Sequence, residues 1–216
     1  MHILTLLPLL VVAQAGAVVT PDAAVPCVAC RANLEGLRAG YTAADWNALT
    51  RGEIVTSKKN MPGSDDAVLS NIESSALLPY PAPQIWEVLV DFESRPKYIP
   101  GTKEVRILRV DGNRVWLAEH LRIFLVNIRY QVIDTLDPEH GALTWVLDKS
   151  APHDIADTMG SWQLAPVSER QQTLVRYRVW IDSGQPVPRL IEEFLTWRSL
   201  PKLVGGLRTE VQRRYR

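Results

Sequence analysis

Cys27 and Cys30, in Cys-Val-Ala-Cys, are the only cysteines in the chain and form the first spacing with chemistry in it. Such a pair can supply half a zinc site, attach a haem, exchange disulfides or close on itself. Arg31 stands where haem attachment requires His, and two thiolates cannot complete a four-ligand zinc site. Redox-active pairs open a helix beside a βαβ unit, and no such unit is visible nearby. In an exported chain Cys27 and Cys30 are expected to form a disulfide, a local clip whose small loop adds little stability. The other reactive groups are scattered. His140 falls in the turn 137–141 and His153 in the loop 149–154, both reading as surface. Glu119 and His120 are neighbours on a strand, so their side chains leave opposite faces and cannot act as a dyad. Asp154 and Asp157 have no partner set around them. The nucleophile-elbow, zincin, Walker and dinucleotide-glycine patterns are absent from the sequence. No catalytic residue, metal or cofactor is therefore assigned.

The elements that must position any site follow from periodicity. Residues 3–13 are an apolar run followed by small residues at Ala13, Ala15 and Ala17, the pattern of a secretory signal peptide despite an n-region without Lys or Arg. Thr42 is placed to cap a short helix, with Asp45 at the third position. A first strand is expected from Gly52 and a second over 67–78. Pro83 then opens a helix whose Ile85, Val88, Leu89 and Phe92 share one face. The centre reads as sequential strands with short turns, over 104–110, 115–125, 128–136, 143–148, 155–164 and 173–181, with Asp111-Gly112 as a hairpin signal. One series alternates Val115, Leu117, Glu119, Leu121 and Ile123, and the next Ile128, Tyr130, Val132, Asp134 and Leu136. After the break at 182–188 the pattern is helical to the C-terminus, and Pro201 should kink or divide that helix.

The 216 residues carry 24 Lys+Arg and 24 Asp+Glu, with 46% apolar and 22% charged side chains. Zero net charge gives no nucleic-acid footprint. No uncharged run long enough to span a bilayer occurs beyond the N-terminus. Seven Trp and six Tyr against three Phe suit half-wet surfaces and cavity walls.

The segment 83–101, Pro-Gln-Ile-Trp-Glu-Val-Leu-Val-Asp-Phe-Glu-Ser-Arg-Pro-Lys-Tyr-Ile-Pro-Gly, resembles the first helices of START-like and polyketide-cyclase or coenzyme-Q-binding-like domains. Gly160-Ser-Trp162-Gln-Leu164-x-Pro166, Thr173-x-Val-x-Tyr177, Val187-Pro-x-Leu-Ile and Leu200-Pro-Lys-x-Val…Leu-Arg208 are similar to later parts of the same superfamily. The resemblance covers about 65–214. It implies an α+β helix-grip fold, a curved antiparallel β-sheet wrapped around a long C-terminal helix with a hydrophobic cavity between them. The implied organisation is a signal peptide at 1–17, an extension with the CxxC and a short helix at 18–50, and a START-like domain at 51–216.

Under that reading the cavity is lined by Leu117, Leu121, Tyr130, Trp145, Val175 and Tyr177 of the sheet and by Phe194, Trp197 and Val204 of the helix. The expected function is an exported protein binding a hydrophobic small molecule such as a lipid, quinone or sterol-like compound. A cyclase or hydrolase-type enzyme using the same cavity and a protein-interaction module with a filled core are the alternatives, because this fold hosts unrelated functions. Residues 189–216 hold seven Lys/Arg against three Glu. These cations complement the helix end and offer transient contact with an anionic membrane surface. Export sets a first expectation: the mature chain begins near Gly16 or Val18, and intact-mass measurement on protein from its native host tests it against a chain retaining Met1.

Overall fold

The computed structural model describes residues 27–59, 68–123, 125–167, 171–184 and 200–216. Helices α1 (Leu34–Arg38) and α2 (Ala43–Thr50) precede strands β1 (Val55–Lys59) and β2 (Val68–Leu78). Helix α3 (Ala82–Val90) and a 3-10 helix (Phe92–Lys97) follow. Then come β3 (Thr102–Asp111), β4 (Arg114–Ile123), β5 (Val126–Asp137), β6 (Ala142–Leu147), β7 (Asp157–Val167) and β8 (Gln172–Asp182). The described part of the last helix, α4, is Leu200–Arg214. All eight strands form one antiparallel sheet in the order β1-β2-β8-β7-β6-β5-β4-β3. From β3 to β8 each strand pairs with its sequence neighbour. The β2–β8 pairing instead joins segments a hundred residues apart, Leu78 opposite Thr173 and Leu77 opposite Leu174.

Local chemistry accounts for the elements. Thr42 accepts the Asp45 N–H at 3.1 Å while the Asp45 carboxylate accepts the Thr42 N–H at 3.1 Å, a complete capping box. Pro81 precedes α3 and Pro83 is its second residue, one place later than expected, where a missing N–H is still harmless. Ile85, Val88, Leu89 and Phe92 are all buried as their spacing requires. The β3–β4 hairpin turns on Gly112 at φ 58°, a conformation that glycine adopts without strain. Pro201 lies in the first turn of the described α4, so it removes no hydrogen bond within that span.

Apolar surface is buried on both faces of the sheet. The main core unites the inner faces of the strands with α3 and with Val204, Leu207 and Val211 of α4. A second cluster lies on the outer face, where Leu37 and Leu49 of α1 and α2 pack against Leu77, Leu174 and Ala165. The N-terminal segment is docked. Val28 and Ala29 are buried, and the Ala29 and Arg31 N–H groups donate to the carbonyls of Pro138 and Glu139 at 2.7 and 2.9 Å. Cys27 and Cys30 are exposed free thiols, so the expected clip is not formed in this structure. The Cys30 thiol donates to the Cys27 carbonyl at 3.5 Å, across the turn that begins at Val28 with Ala29 at φ 59°.

Helix α4 meets α3 and the segment after it at very short range. A β-carbon on Gly206 would sit 3.0 Å from the Tyr98 carbonyl carbon and closer still to its oxygen, whereas one on Gly205 would find only the end of Ile54 at 3.5 Å. Chemical denaturation should therefore separate two adjacent substitutions. Gly206→Ala is expected to destabilise by about 1–3 kcal/mol through overpacking. Gly205→Ala should be neutral or gain up to about 1 kcal/mol from helix propensity.

Candidate functional site

Strand pairing assembles the inner face residue by residue. Glu119 pairs with Tyr130 and Leu117 with Val132 across β4 and β5, and Asp134 pairs with Trp145 across β5 and β6. Trp145 then faces Gly160 on β7, and Trp162 pairs with Tyr177 on β8. A β-carbon at Gly160 would overlap the Trp145 ring, so glycine there lets the indole lie across β7. Trp145 reaches Tyr177 in a stack with centroids 5.6 Å apart and planes at 24°, and Tyr177 meets Trp162 at 4.7 Å. The result is a three-ring wall.

Six of the expected lining residues are brought together here. Leu117, Val175, Tyr177 and Val204 are buried in the main core, and Tyr130 and Trp145 pack against it half-buried. Leu121 is half-buried near the β4–β5 hairpin and is not part of that cluster. Phe194 and Trp197 lie outside the described residues.

The sequence reading missed the charged centre of this face. Arg95, from the 3-10 helix, lays its guanidinium 4.6 Å over the Phe92 ring and donates to two carboxylates. One N–H reaches Glu119 at 2.9 Å and another reaches Asp134 Oδ2 at 2.9 Å, while Tyr130 donates its hydroxyl to the other Glu119 oxygen at 3.0 Å. The Asp134 side chain has no exposure, Arg95 has 9% and Glu119 14%. Asp134 Oδ1 is buried without a hydrogen-bond partner among the described residues. Burial pushes the Asp134 carboxyl up to about 6, against the pull of Arg95. Burial opposes the charge on Arg95, but the Asp134 and Glu119 carboxylates more than offset it and hold the guanidinium ionised. Burial and the negative charge on Glu119 raise both Tyr130 and Tyr177, so their hydroxyls stay protonated donors. A signal for the two acids was present: Glu119 and Asp134 occupy inward positions in otherwise apolar alternations.

The described histidines stay outside this centre. His120 bonds Asn127 at 3.1 Å on the outer face, His140 bonds Asp137 at the β5–β6 turn, and the exposed His153 contacts the Ile155 carbonyl. No cluster of three or more His, Cys, Asp or Glu side chains able to hold a metal occurs among the described residues. A shallow depression of about 250 Å³ lined by Arg38, Tyr41 and Trp46 lies on the N-terminal helices, away from the inner face.

A curved antiparallel sheet with a C-terminal helix across its inner face is the helix-grip architecture of START-like proteins. Residues 71–211 match the family described as polyketide cyclase / dehydrase and lipid transport, and the chain belongs to it. No curated protein sequence matches the chain. Among solved structures, the STAR-related lipid transfer protein from Xanthomonas axonopodis is similar, with a TM-score of 0.61 and 18% identity over 74% of this chain and 93% of that one. The Zhui aromatase/cyclase from Streptomyces sp. R1128 gives a TM-score of 0.57 at 19% identity over 68% of this chain and 95% of its own. Human STARD10 gives 0.59 at 14% identity over 84% and 80%. At these identities the likeness is one of fold.

The buried acid has a pH signature. A carboxyl raised from 3.8 to about 6 on folding binds its proton more tightly in the native state. Its stabilising contribution is therefore complete below about pH 4 and lost as the pH rises through about 6, a loss of roughly 3 kcal/mol. Urea unfolding across that window should show this falling component in the wild type, and its disappearance in Asp134→Asn. An unchanged slope in the variant would assign the titration to another group.

Proposed function

We propose that the chain binds an apolar small molecule carrying one hydrogen-bond-donating head group, and holds it on the inner face of the sheet. The observation that carries this is Asp134 Oδ1, a fully buried acceptor without a described partner beside an aromatic wall. A buried unsatisfied oxygen is costly, and a ligand hydroxyl or amine that meets it recovers that free energy. Trp145, Tyr177 and Trp162 offer the flat apolar surface that the rest of the molecule needs. One guanidinium between two carboxylates leaves the centre with an excess negative charge when both acids are ionised, which disfavours carboxylate ligands. Long-chain alcohols, sterol-like alcohols and amphiphilic amines satisfy these conditions, and fatty acids do not. The lipid-transfer proteins among the structural neighbours support a carrier.

Asp134 is also the described carboxyl of this face that can exchange a proton near neutral pH. A cyclase or hydrolase-type activity on the same ligand would have to use it as its acid or base. The apolar run 3–13 and the small residues after it support export of the carrier.

Competition against a bound apolar fluorescent probe tests the reading. At about pH 8, where Asp134 is ionised, dodecan-1-ol is expected to displace the probe at least about tenfold more effectively than dodecanoate, and Asp134→Leu should erase the difference. Equal or better competition by dodecanoate would refute the donor-head assignment.

A further inference from the structure

An unbroken apolar row crosses the outer face of the sheet. Strand register puts Trp116 of β4 beside Ile133 of β5, Ile133 beside Val146 of β6, and Val146 beside Met159 of β7. Trp180 of β8, the partner of Met159, completes it. Neighbouring strands lie about 4.8 Å apart, so the row is roughly 19 Å long. None of these side chains belongs to the main core or to the cluster under α1 and α2. Val146 and Met159 are each 48% exposed, and the other three are half-buried. An outward sheet face is ordinarily polar, so a continuous apolar row there marks a contact surface. On the side toward α1 and α2 the next row is polar, with Arg114, Thr135, Thr144, Ser161 and Arg178. The stripe is therefore separate from the docking site of the N-terminal helices.

Size and charge along the row specify the occupant. Side chains grow from Val146 in the middle, through Ile133 and Met159, to Trp116 and Trp180 at the ends. The sheet curves around α4, so its outer face is convex, and two such faces diverge away from their line of contact. A small residue at the centre and large ones at the ends fill a gap of that form. A half-turn about an axis along β6 sets Val146 against Val146 of a second copy, Ile133 against Met159, and Trp116 against Trp180. Strands kept nearly aligned in this way are an ordinary geometry for face-to-face sheets. The charges obey the same symmetry. At the β4 end the Arg109 and Arg114 guanidiniums lie 3.5 and 5.1 Å over the Trp116 ring, with Asp111 opposite Arg114 in register. At the β8 end Asp157 and Asp182 face each other across the strands, and Lys149 pairs with Asp157 at 2.6 Å. Arg178, beside that end, is matched by Glu73 at 2.7 Å. One end is thus net positive and the other net negative, and the half-turn brings each toward its opposite. Self-matching of this kind is what a two-fold contact between identical chains requires.

We propose that this outer face is a self-association surface, on which two copies of the chain pack sheet to sheet about a two-fold axis along β6. The stripe lies on the opposite side of the sheet from the candidate binding face, so association leaves both inner faces free and does not depend on what they bind.

Sedimentation equilibrium on the full chain, over about 1–200 μM, tests the assignment. The wild type is expected to show a monomer–dimer equilibrium. Raising NaCl from about 0.05 to about 0.5 M should weaken it at least about threefold, through screening of the charged ends. Val146→Lys, which sets two ammonium groups against each other on the axis, should weaken it at least about thirtyfold. In a Cys27→Ser, Cys30→Ser background, a short bis-maleimide should join Val146→Cys into a covalent dimer. Val110→Cys, at a position 62% exposed but off the stripe, should stay monomeric under the same treatment. Because Val146 is exposed, far-UV circular dichroism and displacement of the apolar probe should keep their wild-type values in every variant. Those two readouts separate loss of the dimer from loss of the fold or of ligand binding. A monomer at every concentration, a dimer unchanged by salt or by Val146→Lys, or cross-linking through Val110→Cys in place of Val146→Cys would each overturn the proposal.

Discussion

Arg95 is the fixed point of the inner face. A guanidinium cannot shed its proton, so burying it on an apolar sheet demands carboxylates within hydrogen-bond reach. Glu119 and Asp134 meet that demand from adjacent strands, and the ion set thereby locks the 3-10 helix to β4 and β5 at one register. Such a set is poor evidence for stability, since desolvating three charges offsets most of their attraction. Removing one member is different, because it strands the others. Losing Arg95 leaves two buried carboxylates facing each other, a defect of about 3–5 kcal/mol. The geometry leaves Asp134 Oδ1 without a described hydrogen-bond partner.

The aromatic wall depends on the same economy of space. Trp145 lies flat because position 160 has no side chain, and the stack with Tyr177 follows from that vacancy. At the other edge, Gly206 lets α4 approach the Tyr98 backbone closely enough to seal Val204, Leu207 and Val211 into the core. On the outer face, α1 and α2 cover Leu77, Leu174 and Ala165, so β2, β8 and β7 are buried on both sides. The strands toward β3 have no such cover, and their outer faces carry the exposed cations.

Strand alternation, the hairpin glycine and the one-sided helix at Ile85, Val88 and Leu89 were legible in the sequence because they depend on neighbours a few residues apart. The apolar lining was legible in part for the same reason. Arg95 was not, because its role depends on bringing together positions 24 and 39 residues apart in sequence. Yet Glu119 and Asp134 interrupt apolar series, and an inward acid on each of two adjacent strands is a request for a buried cation. The docking of the N-terminal segment was also hidden. Leu37 and Leu49 are isolated apolar residues in short helices, and only the outer face of β2, β7 and β8 gives them a place.

The pairing of β2 with β8 sets an order of events during synthesis. Until residues 172–182 have been made, β2 lacks its inner neighbour, and Leu37 and Leu49 lack Leu174 to pack on. Contacts of such sequence separation form late, after a large loop has been closed. Most of the chain must therefore leave the ribosome before the sheet can close. A polypeptide in that state is a substrate for holding chaperones and proteases until the last strand arrives.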